Sequence, residues 1–224
     1  MKKIILLGTG FIMSIAGFSQ FSVGVQATGN LSDAFIKNDN DFDYSKSMRI
    51  MPAAGIVAQY DLGEHFAIRS GINYVQHGIT LKATVDEDVQ MKVKARMRLH
   101  YLQLPVTAMY TLPLENARLF AGIGGYFGYG ISGKDKETLS YIAPDESMIV
   151  ITEEIDAFKK EEEDGAGLKR TDFGATALAG VELRNGLFVN VGYQLGLSNI
   201  DRTEDAKYKN RGLQLTIGYL FRMR

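Results

Sequence analysis

The chain has 224 residues, 46% of them apolar and 23% charged, a composition of ordinary folded protein that excludes disorder and collagen-like structure. It holds no cysteine, so neither a disulfide framework nor a thiolate metal site is available, and only His65, His77 and His100 remain as imidazole ligands or bases. With 25 basic and 26 acidic residues the net charge is -1, which offers no positive field to a phosphate backbone and argues against nucleic acid as a partner. Two features of the composition stand out: 24 glycines against 4 prolines, and 11 tyrosines without a single tryptophan.

Residues 1–20 open with Lys2 and Lys3, continue with an apolar stretch from Ile4 to about Ala16, and end in the small residues Ala16, Gly17 and Ser19. That stretch is too short to cross a bilayer core of roughly 30 Å as a helix, which takes about 20 residues, so the pattern predicts a cleaved secretory signal. Residues 21–224 are then the mature domain. Losing Lys2 and Lys3 leaves 23 basic against 26 acidic residues, a slightly acidic protein at -3.

From Phe21 onward apolar residues recur at every second position, the period of a strand rather than a helix. Phe21, Val23, Val25 and Ala27 alternate with Ser22, Gly24, Gln26 and Thr28. Ala54, Ile56, Ala58 and Tyr60 lead to the turn Asp61-Leu-Gly-Glu64, and Phe66, Ile68, Ile72 and Tyr74 follow, opposite Arg69, Gly71 and Asn73. Leu102, Leu104, Val106, Ala108 and Tyr110 face away from Tyr101, Gln103 and Thr107, and that run ends at Pro113-Leu-Glu-Asn116. Leu119, Ala121, Ile123, Phe127 and Tyr129 oppose Gly122, Gly124, Tyr126 and Gly128. The sixth run, Phe173 to Leu183 opposite Asp172, Gly174, Thr176 and Glu182, stops at Arg184-Asn-Gly186, a strong hairpin signal. Leu187 to Leu197, opposite Asn190 and Gln194, and Leu213 to Phe221, opposite Gln214 and Thr216, complete the set.

Eight strands result, and their connections alternate in length. Short ones lie near 61–64, 113–116 and 184–187; long ones are expected at 29–47, 79–98, 132–170 and 199–210. A transmembrane barrel has this asymmetry, with tight periplasmic turns and longer extracellular loops. The expected fold is therefore all-β: an eight-stranded antiparallel up-and-down transmembrane β-barrel. The second face of each run is rich in Gly, Gln, Asn and Thr and poor in the long Lys and Glu of a water-facing strand, which suits a crowded lumen. Arg69, Asn73, Gln103, Glu182, Asn190 and Gln194 share that parity, and a buried Arg69 calls for an ion pair such as Glu182. Aromatics cluster near strand ends. Phe66 and Tyr74 share a face about 26 Å apart along the strand, the separation of two interfacial girdles in a strand tilted near 40°. Phe127 and Tyr129 are assigned to the outer girdle and Tyr60, Tyr110 and Phe221 to the inner one, with Tyr219 counted among the interfacial aromatics.

Several motifs then resemble a known family: the signal ending Gly-Phe-Ser-Gln20, Tyr101-Leu-Gln-Leu-Pro105, Gly122-Ile-Gly124 with Tyr126, Asp172-Phe-Gly174, and Tyr193-Gln-Leu-Gly196 with Asn199-Ile200. Taken in order they resemble the small PorT-like outer-membrane β-barrels of Bacteroidota. The resemblance implies an eight-stranded barrel in the outer membrane of a Gram-negative bacterium and, fold not being function, no particular activity. One departure is Arg222-Met-Arg224, where such barrels usually finish on an aromatic.

Candidate chemistry is sparse. Asp39, Asp41 and Asp43 are spaced as in a calcium loop, but Tyr44 and Ile50 stand where Gly and Glu are needed, so a solvated loop is expected. The segment 133–170 carries eleven acids against six bases, and within it Ile151, Ile155 and Phe158 at helical spacing predict a short amphipathic helix or a ligand-gripping patch. Lys82, Lys92, Lys94, Arg96 and Arg98 make the second loop mildly basic, able to pair with that acidic segment or with lipid phosphates. Ser70 and His77 fall on opposite faces of one strand and His100 has no serine or carboxylate partner nearby in sequence, so no enzyme is expected. Gly122-Ile-Gly124-Gly-Tyr-Phe127 lacks both the third glycine and the helix of a dinucleotide fingerprint.

The expected protein is a monomeric outer-membrane barrel with a filled polar lumen, not an open porin, and without cofactor, metal or catalytic residues. Its expected partners are outer-membrane lipid and lipopolysaccharide, the outer-membrane assembly machinery, and an extracellular or envelope protein met through the loops. Two alternatives are an accessory of a cell-envelope secretion or assembly machine, and a soluble secreted lipocalin-like barrel with an apolar interior ligand.

Overall fold

The computed structural model describes residues 20–37, 45–86, 91–143, 147–160, 165–203 and 207–222. The signal expected at residues 1–20 lies outside them apart from Gln20, and so do Asp39, Asp41 and Asp43. Nine strands are described: β1 (Phe21–Lys37), β2 (Ser45–Asp61), β3 (Phe66–Asp86), β4 (Met91–Pro113), β5 (Ala117–Ile142), β6 (Met148–Asp156), β7 (Thr171–Leu183), β8 (Leu187–Gly196) and β9 (Lys207–Arg222).

All pairings between them are antiparallel. Eight strands close a ring in the order β1-β2-β3-β4-β5-β7-β8-β9, and β9 returns to β1 with a register running from Ser22↔Arg222 to Lys37↔Lys207. β6 lies outside the ring, paired only with the distal half of β5 from Lys134↔Asp156 to Ile142↔Met148. Closure leaves no unpaired edge in the wall, which is what a membrane requires of a sheet, since lipid supplies no hydrogen-bond partner to backbone groups.

Outside, the apolar residues of every strand are exposed; Ile123 is 72% and Ile56 58% accessible, values that water would penalise and acyl chains would not. Inside, two apolar clusters bracket a polar layer. The one near the short turns contains Val57, Ala67, Met109, Phe120, Phe188 and Leu220. The one at the opposite mouth is built around Ile79, Leu99, Tyr101, Phe158 and Ile200.

The short turns fall between Asp61 and Phe66, Pro113 and Ala117, and Leu183 and Leu187. The long connections differ from expectation. Most of 29–47, 79–98 and 132–142 is paired strand: β1 runs on to Lys37, β3 to Asp86, β4 starts at Met91 and β5 reaches Ile142. β4 has 23 residues and β5 has 26, whereas crossing a bilayer takes about 10, so both stand well clear of it as paired ribbon. The helix expected from Ile151, Ile155 and Phe158 is also corrected. Ile151 and Ile155 lie in β6, opposite Leu139 and Asp135, while Phe158 follows the strand in a turn. A spacing of four fits a period of two as well as one of 3.6, and the pairing offered by β5 decides between them.

One irregularity re-aims the upper wall. Between His100/Tyr101 and Ser132/Gly130 the β4–β5 register shifts, leaving both Ile131 and Ser132 exposed. The inward parity of β5 therefore passes from Tyr126 and Gly128 to Gly133 and Asp135, and Lys134 and Lys136 turn outward.

At the Asn185-Gly186 turn, Gly186 has φ +93°, and a Cβ there would lie 2.2 Å from the Leu220 carbonyl oxygen. Gly186→Ala is expected to lower the unfolding free energy of the detergent-folded barrel by about 1–3 kcal/mol, read from urea unfolding; an unchanged midpoint would show that the turn carries no strain.

Candidate functional site

The barrel interior is where this sequence concentrates its polar chemistry. At the short-turn end, Glu182 of β7 is 1% exposed and gathers three arginines. Arg118, its direct cross-strand partner on β5, donates from Nη2 to both carboxylate oxygens at 3.0 Å and from Nη1 to Asp61 at 3.1 Å. Arg69 on β3 approaches Glu182 at 3.8 Å, and Arg222 on β9 donates to its Oε1. Gln59 locks the arrangement: its Oε1 accepts from Arg69 Nε at 3.0 Å and Nη2 at 2.7 Å, while its Nε2 donates to Asp61 at 2.8 Å. The Arg69 guanidinium lies between two rings, 4.6 Å from the centroids of both Phe120 and Phe188. Flat cation, paired carboxylate and aromatic faces together replace the water that a buried arginine gives up.

Above this cluster is a cavity of about 70 Å3 lined by Gln26, Thr28, Asn73, Gln103, Asn190 and Gln194 among others. Gln26 donates to Asn73 at 2.8 Å, Thr28 and Thr216 share a hydrogen bond of 2.8 Å, and Gln194 donates to Gln103 at 3.3 Å. Polar walls and this volume suit a few waters, not a drug-sized ligand. An apolar ligand chamber of lipocalin type is therefore not what the interior provides. Gln103 and Gln59 are almost fully buried, Arg69, Glu182, Asn190 and Gln194 are buried, and Asn73 is half-buried.

At the mouth, Asp172 is fully enclosed and accepts from Ser198 Oγ at 2.6 Å, Asn210 Nδ2 at 2.9 Å and Tyr126 Oη at 3.4 Å. Beyond it the chain after β6 folds down over the opening. Asp156 caps the turn, accepting from the backbone N–H of Phe158 at 2.8 Å, and Leu168 N–H donates to Ala157 O at 2.9 Å. Phe158 packs edge-on against Tyr101 at 5.8 Å, with Arg170 over its other side at 5.0 Å. Its seat exists because Gly130 has no side chain: a Cβ there would lie 2.3 Å from the Phe158 ring.

The parity of the strands indicates which polar residues share the interior, and Arg69 and Glu182 do meet. Arg118, Asp61, Gln59, Arg222 and the ring pair Phe120 and Phe188 were not singled out from the sequence; Phe120 and Phe188 share the lumen parity, which was the available signal. The outward aromatics Tyr60, Phe66, Tyr74, Tyr110, Phe127, Tyr129, Tyr219 and Phe221 are all exposed on the wall. Phe66 meets Tyr110 at 5.5 Å and Tyr219 meets Phe221 at 5.0 Å near the short turns. Tyr74 is hydrogen-bonded to His100 at the other level.

Ser70 and the histidines each have other partners among the described residues. Ser70 Oγ donates to Pro105 O at 2.8 Å, His77 meets Gln103 at 3.2 Å, and His65 meets the Thr111 carbonyl at 3.2 Å. Among the described residues no group of three His, Asp or Glu is placed to hold a metal ion.

Glu182→Gln leaves three arginines without their shared counter-charge, two of them well inside the wall, and is expected to cost about 3–5 kcal/mol in urea unfolding. A loss under about 1 kcal/mol would show that water, not Glu182, satisfies them. Asp135, on the inner side of β5 above the bulge, is 8% exposed, and its Oδ1 has no partner among the described residues. Burial first, and then Glu137, raise its carboxyl from 3.8 to about 6. With the folded value above the unfolded one, its contribution to stability is full below the ordinary value and is lost as the pH rises through 6. Amide exchange over residues 133–137, corrected for intrinsic rates, should therefore be faster at about pH 7.5 than at about pH 5. In Asp135→Asn that difference should vanish; its persistence would assign it elsewhere.

No curated protein matches the chain. Among solved structures, Ail of Yersinia pestis is 12% identical with a TM-score of 0.41, over 90% of this chain and 97% of that one. OprG of Pseudomonas aeruginosa is 12% identical with a TM-score of 0.45, over 91% and 95%. Neisserial surface protein A is 14% identical with a TM-score of 0.36, over 91% and 98%. Likenesses this loose say nothing about function. The family model described as outer membrane protein beta-barrel domain matches residues 18–202. A match of that extent, on a chain whose strands close this ring, makes the protein a member of the outer membrane protein β-barrel domain family.

Proposed function

We propose that this protein is a monomeric PorT-like barrel in the outer membrane of a Gram-negative bacterium of the Bacteroidota, exported through a cleaved signal at residues 1–20. Its work is done by contact, through the paired ribbon that β3, β4, β5 and β6 raise above the membrane, and not by passage of solutes through the lumen. The proposed partners are the lipid and lipopolysaccharide around it, the outer-membrane assembly machinery that inserts it, and an envelope or extracellular protein met by the ribbon. No catalytic step, cofactor or nucleic acid belongs to this reading.

The observation that supports it best is the state of the interior. From the Glu182 cluster to Phe158 the lumen is occupied by side chains, and the cavity between them lined by Gln26, Asn73 and Gln103 is about 70 Å3. An eight-stranded wall encloses just enough space for its own side chains. A conducting path would have to move the Arg69 guanidinium from between Phe120 and Phe188 and lift Phe158 from Tyr101, breaking the buried contacts that hold each.

Purified full-length protein inserted in planar lipid bilayers should give no ohmic current steps at moderate voltage. Steady, open-porin conductance from the folded protein would overturn the filled-lumen reading.

A further inference from the structure

The outward face of β4 changes character within one residue. On the short-turn side of His100 it presents Leu102, Leu104, Val106 and Tyr110, all exposed; beyond His100 come Arg98, Arg96, Lys94 and Lys92. The hydrogen-bonded Tyr74–His100 pair sits at the step. Neighbouring strands extend the cationic side. Lys82 stands directly opposite Lys94, and Lys136 and Lys134 stand opposite Arg96 and Arg98. Arg49 on β2 lies within electrostatic reach of Arg98 and Arg96.

Like charges directly opposite one another across strands repel, and this wall carries three such pairs close together. Lys134 is neutralised by Glu154. Among the described residues Lys82, Lys94 and Arg96 take part in no ion pair, while the same Glu154 stands opposite Lys136 and within electrostatic reach of Arg98. The cost is felt at Lys94, whose ammonium is held below its ordinary value by Arg96 first, then by desolvation and Lys82. Rows of unneutralised cations on a rigid sheet are complementary to an anion that arrives from outside.

Position selects the anion. These side chains project sideways from the barrel wall, at the first level above the apolar band, where they face lipid headgroups and not the solvent over the mouth. Strands lie about 4.8 Å apart and same-face residues about 6.8 Å apart along a strand, so the patch offers several donors across about 10–15 Å, the scale of a headgroup with more than one phosphate. Arginine forks suit phosphate oxygens, and lysines add point charge.

We propose that the cationic face formed by Lys82, Lys94, Arg96, Arg98 and Lys136 binds the phosphates of outer-leaflet lipopolysaccharide. The site rests on the outer-membrane reading given above and adds to it a specific lipid partner, held on one side of the barrel.

The test is an equilibrium titration of full-length protein, folded in zwitterionic detergent, with labelled lipopolysaccharide. The patch variant carries Lys94→Gln, Arg96→Gln, Arg98→Gln and Lys136→Gln; a control with equal charge change carries Lys159→Gln, Lys160→Gln, Lys169→Gln and Lys207→Gln. The patch variant should lose about tenfold or more in affinity while the control stays within about twofold, and dephosphorylated lipopolysaccharide should bind the unchanged protein about as weakly as the patch variant binds the intact lipid. Equal binding by both variants, or undiminished binding of the dephosphorylated lipid, overturns the proposal. So does displacement of lipopolysaccharide by phosphatidylglycerol at equal concentration, which would assign the patch to anionic headgroups in general. A heat-modifiable band on electrophoresis, read for each protein, separates failure of the patch from failure of the barrel.

Discussion

Every other feature of this protein follows from the need to pair backbone groups where no water can reach them. A sheet in lipid cannot have an edge, and here the first and last strands remove it, β1 joining β9 from Ser22↔Arg222 to Lys37↔Lys207. Once the ring is closed, period two does the rest. One parity meets acyl chains and becomes Val, Ile, Leu and aromatic; the other meets a lumen only a few side chains wide and becomes Gly, Gln, Asn and Thr with a few paired charges. The many glycines then have a physical role, since several of them mark places where a ring or a neighbouring strand needs the space of a side chain, as Phe158 does over Gly130.

The interior is built in layers because its contents differ in what they need. Arginines at one end are held by a shared carboxylate and by aromatic faces, a middle layer of amides and hydroxyls surrounds a small cavity, and aromatics with an enclosed Asp172 network fill the mouth. Removing any single member exposes the desolvation cost of its neighbours, which is why the charge cluster is a sensitive point of the barrel. Beyond the mouth the same strands continue into water. There the outward parity switches from Leu102 to Arg98, and the wall changes from lipid-facing to charged, with the β3–β4 ladder continuous across the step and the β4–β5 ladder shifted in register at it.

Fold class, strand number in the ring and the short turns were legible in the sequence because alternation and the Asp61-Leu-Gly-Glu64, Pro113-Leu-Glu-Asn116 and Asn185-Gly186 signals are local. Parity likewise indicates which polar side chains share the lumen. Four things were not legible. Strand ends above the membrane carry no lipid-facing apolar run, so β1, β3, β4 and β5 look shorter than they are. The β6 segment has a spacing of four that fits two periods. Arg118 meets Glu182 only because β5 pairs with β7 across the 143–170 excursion, and Arg222 arrives through ring closure; neither register is set by a short turn. The β4–β5 shift that turns Lys134 and Lys136 outward is also nonlocal, so the basic run read as a loop forms the flank of a wall.

The proposed lipid boundary at His100 is directly measurable, because the chain contains no cysteine. Single cysteines placed along β4 at Lys94, Arg96, Arg98, Leu102, Leu104 and Val106 can be exposed to a membrane-impermeant maleimide in isolated outer membranes. Rapid labelling is expected at the first three, and protection at the last three until detergent is added. Labelling of positions 104 and 106 in intact membranes would contradict it, because that face would then meet water rather than lipid.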